Sequence, residues 1–327
     1  MVASKSPLLV VGGPTASGKT KLAVDLARTL GGEIICADSM QVYRGMEIAT
    51  AAPTPQEREG VSHHLFGFLE PEESFSVAEY IKNAKNTIEE VTKRGVLPIL
   101  CGGTGLYISC LIDGVELAHT PAVNPGRRAQ LREIAAQKGP DHLWEKLNSI
   151  DPELAVSLHP NNLGRVIRAI EVYEQTGLPM SEWQRRSKLK ESPYNVCYLA
   201  LNYADRSLLH KRIDARVELM LESGLLGEVK TIAVRKASGT AMQAIGHKEF
   251  AAYLRGEQTL AEATGLLKTR TRQYAKRQLT WLRRDERITW LEPDNFETYG
   301  QLLAEAIRLA KCALNIEPPT REGKHEC

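Results

Sequence analysis

Short apolar runs at 8–12, 34–37, 96–101, 196–201 and 288–291 recur along the chain, each closed by glycine or a polar residue. Most are near-continuous rather than alternating, the pattern of strands buried on both faces of a parallel sheet. Helical patterns lie between them, over 19–30 and over 76–93, where Ser76 and Glu79 make a Ser-x-x-Glu capping box. Strand and helix in alternation predict an α/β sheet covered on both faces. The alternation stops after Gly114, and helix-like segments follow at 127–138, 142–149 and 163–175 with no convincing strand, which predicts a helical insertion. A strand resumes at Val196. A long helical region then spans 205–284, interrupted near Gly239 and Gly246, before a last strand and a helix over 295–314. The polar, Pro-rich stretch from Glu317 is expected to fray. The domain reading is an α/β core made of 1–115 and 195–316 with basic helices late in the chain, an all-helical insertion over 116–194, and a flexible tail over 317–327.

Composition narrows the class. Of 327 residues, 43% are hydrophobic and 25% charged, which excludes disorder, collagen and small disulfide scaffolds. The six cysteines include no C-x-x-C pair and read as reduced core residues. The opening apolar run is too short for a signal peptide, and no run approaches the ~18 apolar residues of a membrane helix, so the expected compartment is the cytoplasm, with no membrane partner. Lys and Arg total 42 against 40 Asp and Glu, which excludes a wholly basic nucleic-acid coat. The basic charge is nonetheless concentrated late: 10 basic against 14 acidic residues precede Leu117, whereas 264–287 hold 8 against 2.

Gly13-Pro14-Thr15-Ala16-Ser17-Gly18-Lys19-Thr20 fits G-x-x-x-x-G-K-T directly after a strand pattern and directly before a helix pattern. The glycines let the backbone curl so that successive N–H groups and a helix N-terminus face a phosphate, Lys19 neutralises it, and the Thr20 hydroxyl can ligate Mg²⁺. The fold class that follows is a P-loop NTPase-like parallel-sheet core with an inserted all-helical domain. The next strand ends at Asp38, on the carboxyl edge where open α/β sheets place their chemistry. Three roles stand open for it: a metal ligand after an apolar strand, a general base facing an acceptor, or a helix cap. The third strand ends in Gly102-Gly103-Thr104-Gly105, a bare turn with one hydroxyl that could hydrogen-bond a flat ligand closely approached by glycine.

Together GPTASGKT, ADSMQVYRGMEIATAAPT, HHL, GGTGLY, HPNNLGRVIRAIE, QAIGHKE and AKRQLTWLRR, in order from about Gly13 to Arg284, make the chain resemble the tRNA dimethylallyltransferase (tRNA isopentenyltransferase) family. The resemblance implies Mg²⁺-dependent transfer of a dimethylallyl group from dimethylallyl diphosphate to the N6 amine of the adenosine 3′ to the anticodon, in tRNAs reading codons that begin with U. The enzyme is taken here as a monomer. The resemblance makes Asp38, Thr104 and Lys19 catalytic and assigns diphosphate binding to the loop from Gly13 to Thr20. A diphosphate-binding arginine is implied in RIDARV, where we favour Arg216 over Arg212. For tRNA it implies Asp38, Ser39, Met40, Gln41, Thr104, Arg128, Asn161, Asn162, Leu163, Gly164, Arg165, Met242, Gln243, Ala244, Ile245, Gly246 and His247. The family commonly has tyrosine where this chain has His247, so a role demanding a phenol does not carry over; stacking or hydrogen bonding does.

The residues read alone fit such chemistry. An allylic diphosphate needs its leaving charge absorbed, and an adenine amine needs a carboxylate to orient it and take its proton. Residues 268–277 form a basic helical stripe with Tyr274 and Trp281 interleaved, as an RNA-backbone contact would be. Arg165 and Arg168, three apart, share a helix face able to grip phosphates. His63-His64 has no third ligand at matching spacing, which favours a packed or substrate-adjacent role over zinc. Rival readings are a P-loop kinase, an isopentenyltransferase acting on free adenine nucleotides, and a non-enzymatic RNA adaptor that would leave Asp38 and Thr104 unemployed.

Overall fold

The computed structural model describes residues 5–115, 124–188, 191–235 and 237–316, and the expected fraying of 317–327 lies outside them. The chain divides into two compact units, Met1–Ile112 with Pro193–Cys327, and Asp113–Ser192.

The first unit begins β1 (Ser6–Gly12), α1 (Lys19–Leu30), β2 (Gly32–Cys36), α2 (Pro55–Arg58), β3 (His63–His64), α3 (Val77–Lys93), β4 (Leu97–Gly102) and α4 (Gly105–Ile112). The second holds α5 (Pro125–Lys138), α6 (Pro140–Ile150), α7 (Pro152–Val156), α8 (Leu163–Thr176) and α9 (Met180–Lys188). The first then resumes with β5 (Tyr194–Leu201), α10 (Arg206–Glu222), α11 (Leu225–Ala233), α12 (Ala251–Leu254), α13 (Leu260–Leu282), β6 (Ile288–Leu291) and α14 (Tyr299–Leu314).

All six strands are parallel, in the order β3-β2-β4-β1-β5-β6. In register, Leu9 of the central β1 lies between Ile99 and Cys197. One face of the sheet, with Leu9, Val11, Ile34, Ile99 and Leu199, packs against Leu22 and Leu26 of α1 and Ala306 and Ala310 of α14. Leu8, Val10, Ile35 and Leu100 are buried as well, so the near-continuous apolar runs have their physical cause in a sheet covered on both sides. The Ser76/Glu79 capping box forms at the start of α3. Three elements were drawn differently by the sequence. Two-residue β3 carries too little apolar pattern to register. The long helical region first breaks at Gly224, whose φ of 97° suits glycine, before it breaks near Gly239. The last helix starts at Tyr299, capped by Thr298, rather than at 295.

The helical unit has its own core of Leu131, Leu143, Leu147, Val166, Ile167 and Ile170. Proline opens α5, α6 and α7, where a missing N–H costs nothing.

Candidate active site and nucleic-acid surface

The carboxyl ends of β1, β2 and β4 meet at one place. After Gly12 the phosphate loop turns through left-handed backbone at Ala16 (φ 62°) and Gly18 (φ 95°). Ala16 is an alanine where glycine would be easier, and Arg212 braces it by donating from Nε to its carbonyl at 2.9 Å. The Ser17 hydroxyl is buried with no partner, and the Thr20 hydroxyl also lacks a protein partner among the described residues. Orphaned hydroxyls in a curled loop are the donor set a phosphate and its cation would satisfy. Lys19 Nζ reaches the Pro14 carbonyl at 3.3 Å. Arg216 of α10 donates to the Ala51 carbonyl at 2.9 Å and points its other nitrogen at the Thr15 hydroxyl, 3.4 Å away. Burial holds both Lys19 and Arg216 below their usual values, and Arg216 lowers Lys19 further. Two cations pressed together in this way are the complement of an anion between them.

Opposite the loop, the ends of β2 and β4 stay stitched after both strands stop. Ala37 N–H donates to Cys101 at 2.8 Å and Thr104 N–H returns a bond to Ala37 at 3.1 Å. The Thr104 hydroxyl accepts from Ser39 N–H at 3.1 Å. Asp38 Oδ1 accepts from Met40 N–H at 2.9 Å, closing an Asx turn that leaves Oδ2 without a protein donor among the described residues. Gln41 spends its amide on the Thr50 and Ala51 carbonyls, so it shapes the loop from within.

The glycines of the β4 turn make room for other parts of the protein. A Cβ on Gly102 would lie 2.1 Å from the Ala37 carbonyl oxygen, one on Gly103 2.1 Å from Gln278 Nε2, and one on Gly105 2.0 Å from the Trp281 ring. Each space is already filled.

Helix α13 supplies those fillings. Gln278 is buried and accepts from Thr15 N–H at 2.9 Å while donating to the Gly103 carbonyl at 3.1 Å. Trp281 Nε1 donates to the Ser109 hydroxyl at 3.2 Å. Tyr274 has its phenol against Thr104 and Gln278, and burial together with the charge of Asp38 raises it well above the ordinary tyrosine value. Tyr274 and Trp281 are thus half-buried against the β4 turn, Tyr274 beside Thr104 and Trp281 beside Ser109. Lys268 and Arg272 pair with Glu218 and Asp214 of α10. The basic side chains left outward are Arg270, Lys276, Arg277, Arg283 and Arg284, with Arg277 lying over Tyr274 and Arg284 over Trp281. Sequence reasoning missed Gln278, although its position among buried Ala275, Leu279 and Leu282 marked it as an amide on an apolar stripe.

Several expected RNA contacts are occupied elsewhere. Arg128 makes a two-pronged ion pair with Glu171, at 2.9 and 2.6 Å, and Glu171 is fully buried. Arg168 also lies 3.6 Å from Glu171, so it does not join Arg165 as a free pair. Asn161, Asn162, Gly164 and Arg165 are exposed at the start of α8, while Leu163 is half-buried against the core of the helical unit. Of residues 242–247, Met242 and Gln243 are exposed, Ile245 is half-buried, and Ala244, Gly246 and His247 are buried. His247 is 4% exposed, neither ring nitrogen has a hydrogen-bond partner, and burial lowers it to about 4. Its Nε2 lies 3.8 Å from the Glu228 carboxylate, so the ring is packed within the protein and not displayed on the surface. His64 Nε2 is bonded to Glu33 at 2.7 Å, and Glu33, held to about 2 chiefly by Arg94, anchors the sheet edge. Among the described residues no three His, Cys, Asp or Glu gather as a metal site.

Replacing Arg128 with methionine should destabilise the helical unit by about 3 kcal/mol, because it strands a buried carboxylate. Thermal melting reads that loss; a variant of unchanged stability with weakened RNA binding would return Arg128 to the interface.

Against known proteins, the model of the family described as IPP transferase matches residues 41–285. A tRNA dimethylallyltransferase of Thermoanaerobacter sp. (strain X514) is 45% identical over 313 residues, covering 94% of this chain and 99% of that protein. Its counterpart in Geobacillus thermodenitrificans is 45% identical over 311 residues, 95% and 98% of the two chains. The crystal structure of the full-length tRNA isopentenylpyrophosphate transferase of Bacillus halodurans aligns with a TM-score of 0.71 at 42% identity, over 95% of this chain and 97% of that one. A eukaryotic dimethylallyltransferase acting on tRNA aligns at 0.79 and 30% identity, over 97% and 81%.

Proposed function

This chain belongs to the IPP transferase family, and from that premise we propose that it moves a dimethylallyl group from dimethylallyl diphosphate to the N6 amine of the adenosine 3′ to the anticodon. The acceptors are tRNAs reading codons that begin with U, and the products are N6-(dimethylallyl)adenosine and diphosphate. The observation that carries the reading is the opposition of a cationic phosphate loop, with Lys19 and Arg216, to Asp38 with one carboxylate oxygen to spare.

In the transfer, the bond between the allylic carbon and its diphosphate oxygen breaks as the bond to N6 forms. The electron pair leaves with diphosphate, whose growing charge falls to the loop amides, Lys19 and Arg216. Asp38 orients the amine and takes its proton, which a neutral adenine nitrogen must lose to end uncharged. Thr104, already fixed by Ser39 N–H, holds the base from the β4 side. The donors present fit Mg²⁺: Thr20, beside the partnerless Ser17, would hold it, leaning on the substrate phosphates, and when bound it supplies further neutralisation of the leaving group. The exposed start of α8 with Arg165, and separately the outward cations of α13, support backbone contacts to the anticodon stem-loop. A buried amine must be presented by an extruded nucleotide. No helix among the described residues is long and apolar enough to cross a membrane, and we assign the work to a monomer in the cytoplasm.

Purified protein given Mg²⁺, unmodified tRNA and radiolabelled dimethylallyl diphosphate should label the tRNA. Label in AMP alone would change the acceptor, and phosphate transfer from γ-labelled ATP without prenylation would make the chain a kinase.

A further inference from the structure

Gln278 bridges the two halves of the site. Its carbonyl oxygen takes the Thr15 N–H of the phosphate loop and its amide nitrogen gives to the carbonyl of Gly103, one residue before Thr104. Among side chains of this length, a primary amide alone offers an acceptor and a donor from one planar group, so neither leucine nor glutamate can make both bonds. The group is 5% exposed, and losing it would orphan two backbone groups that water does not readily reach. The fit is close: a Cβ at 103 would lie 2.1 Å from Gln278 Nε2, so any larger residue there must displace the amide. Trp281, on the same face of α13, packs beside Gly105 and donates to Ser109 of α4, which leaves Gln278 little freedom to follow one half of the site without moving the other.

We propose that Gln278 is a positioning residue that couples the diphosphate site to the adenosine site, so that an anion in the phosphate loop tightens RNA binding and RNA tightens anion binding. The proposal rests on the reading of the two sites given above. Coupling of this kind is reciprocal, and its usual size is about 5-fold or more.

The test measures affinity of an anticodon stem-loop RNA with and without inorganic diphosphate and Mg²⁺. In the unaltered protein the affinity should rise about 5-fold or more on adding diphosphate; in Gln278→Leu the ratio should fall to near one, with kcat for prenyl transfer down about 10- to 100-fold. Gly103→Ala, which must push the amide aside, should reproduce both effects. Gly103→Ala placed on Gln278→Ala should then add little, since only the Gly13 carbonyl, 3.3 Å from the new Cβ, remains close, and that non-additivity separates coupling from damage to the fold. A ratio preserved in Gln278→Leu, even with both ligands uniformly weaker, overturns the proposal, as does a ratio of one in the unaltered protein. If the unaltered protein prenylates no tRNA, the functional reading fails instead, and the diphosphate ratio remains measurable by itself.

Discussion

Asp38→Asn lowers turnover by about 10²- to 10⁴-fold and leaves affinity for the tRNA within a few-fold of the unaltered protein. Asparagine is the informative choice because Oδ1 can still accept from Met40 N–H and keep the Asx turn, while the spare oxygen that would take a proton becomes an amide. Asp38→Ala removes the base and the turn together, so it should be at least as slow and should also loosen residues 38–41, which pass the Thr104 and Gln41 contacts to the rest of the site. Single-turnover prenylation, with RNA affinity measured alongside, separates the two effects. Lost tRNA binding with normal catalysis at saturation would make Asp38 a binding residue and remove it as the base.

Lys19→Met is expected to cut kcat/KM for dimethylallyl diphosphate by about 10²- to 10³-fold, the scale seen when one preorganised charge donor is removed from a transition state. Methionine keeps the length and apolar body of the stem, so the loss is electrostatic. Lys19 and Arg216 oppose each other without an anion, and only the lysine sits inside the loop to meet the charge that develops on the leaving oxygen. Affinity for RNA alone should not change. Steady-state kinetics with varied donor reads this out, and a normal kcat/KM would mean that the loop amides and Arg216 suffice.

How much of this could be read in advance follows from how local each signal is. The phosphate loop, the strand ends at Asp38 and Thr104, and the capping box at Ser76 are each written within a few consecutive residues, and the structure forms them there. Contacts across long separations left no such trace. Glu171 claims Arg128 from 43 residues away, and Gln278 reaches Thr15 across 263. Along α13 periodicity gives the angle between residues but not which side faces inward. Tyr274 and Trp281 pack in part against the turn after β4, a contact that the period of the helix does not announce. His247 shows the same limit, for nothing within its short run distinguishes a buried imidazole from an exposed one.

The place of the helical insertion has a consequence for synthesis on the ribosome. Strand β1 is the centre of the finished sheet, yet its two neighbours are made at very different times: β4 ends at residue 102, while β5 ends at residue 201. At 5–20 residues per second, roughly 5–20 s pass in which β1 has one apolar edge bare and no partner for it. An unpaired, uncharged edge of this kind recruits other chains. The nascent protein thus needs shelter longest while its helical unit is being translated, and slowing the ribosome across residues 113–192 should cost more yield than the same delay placed after residue 201.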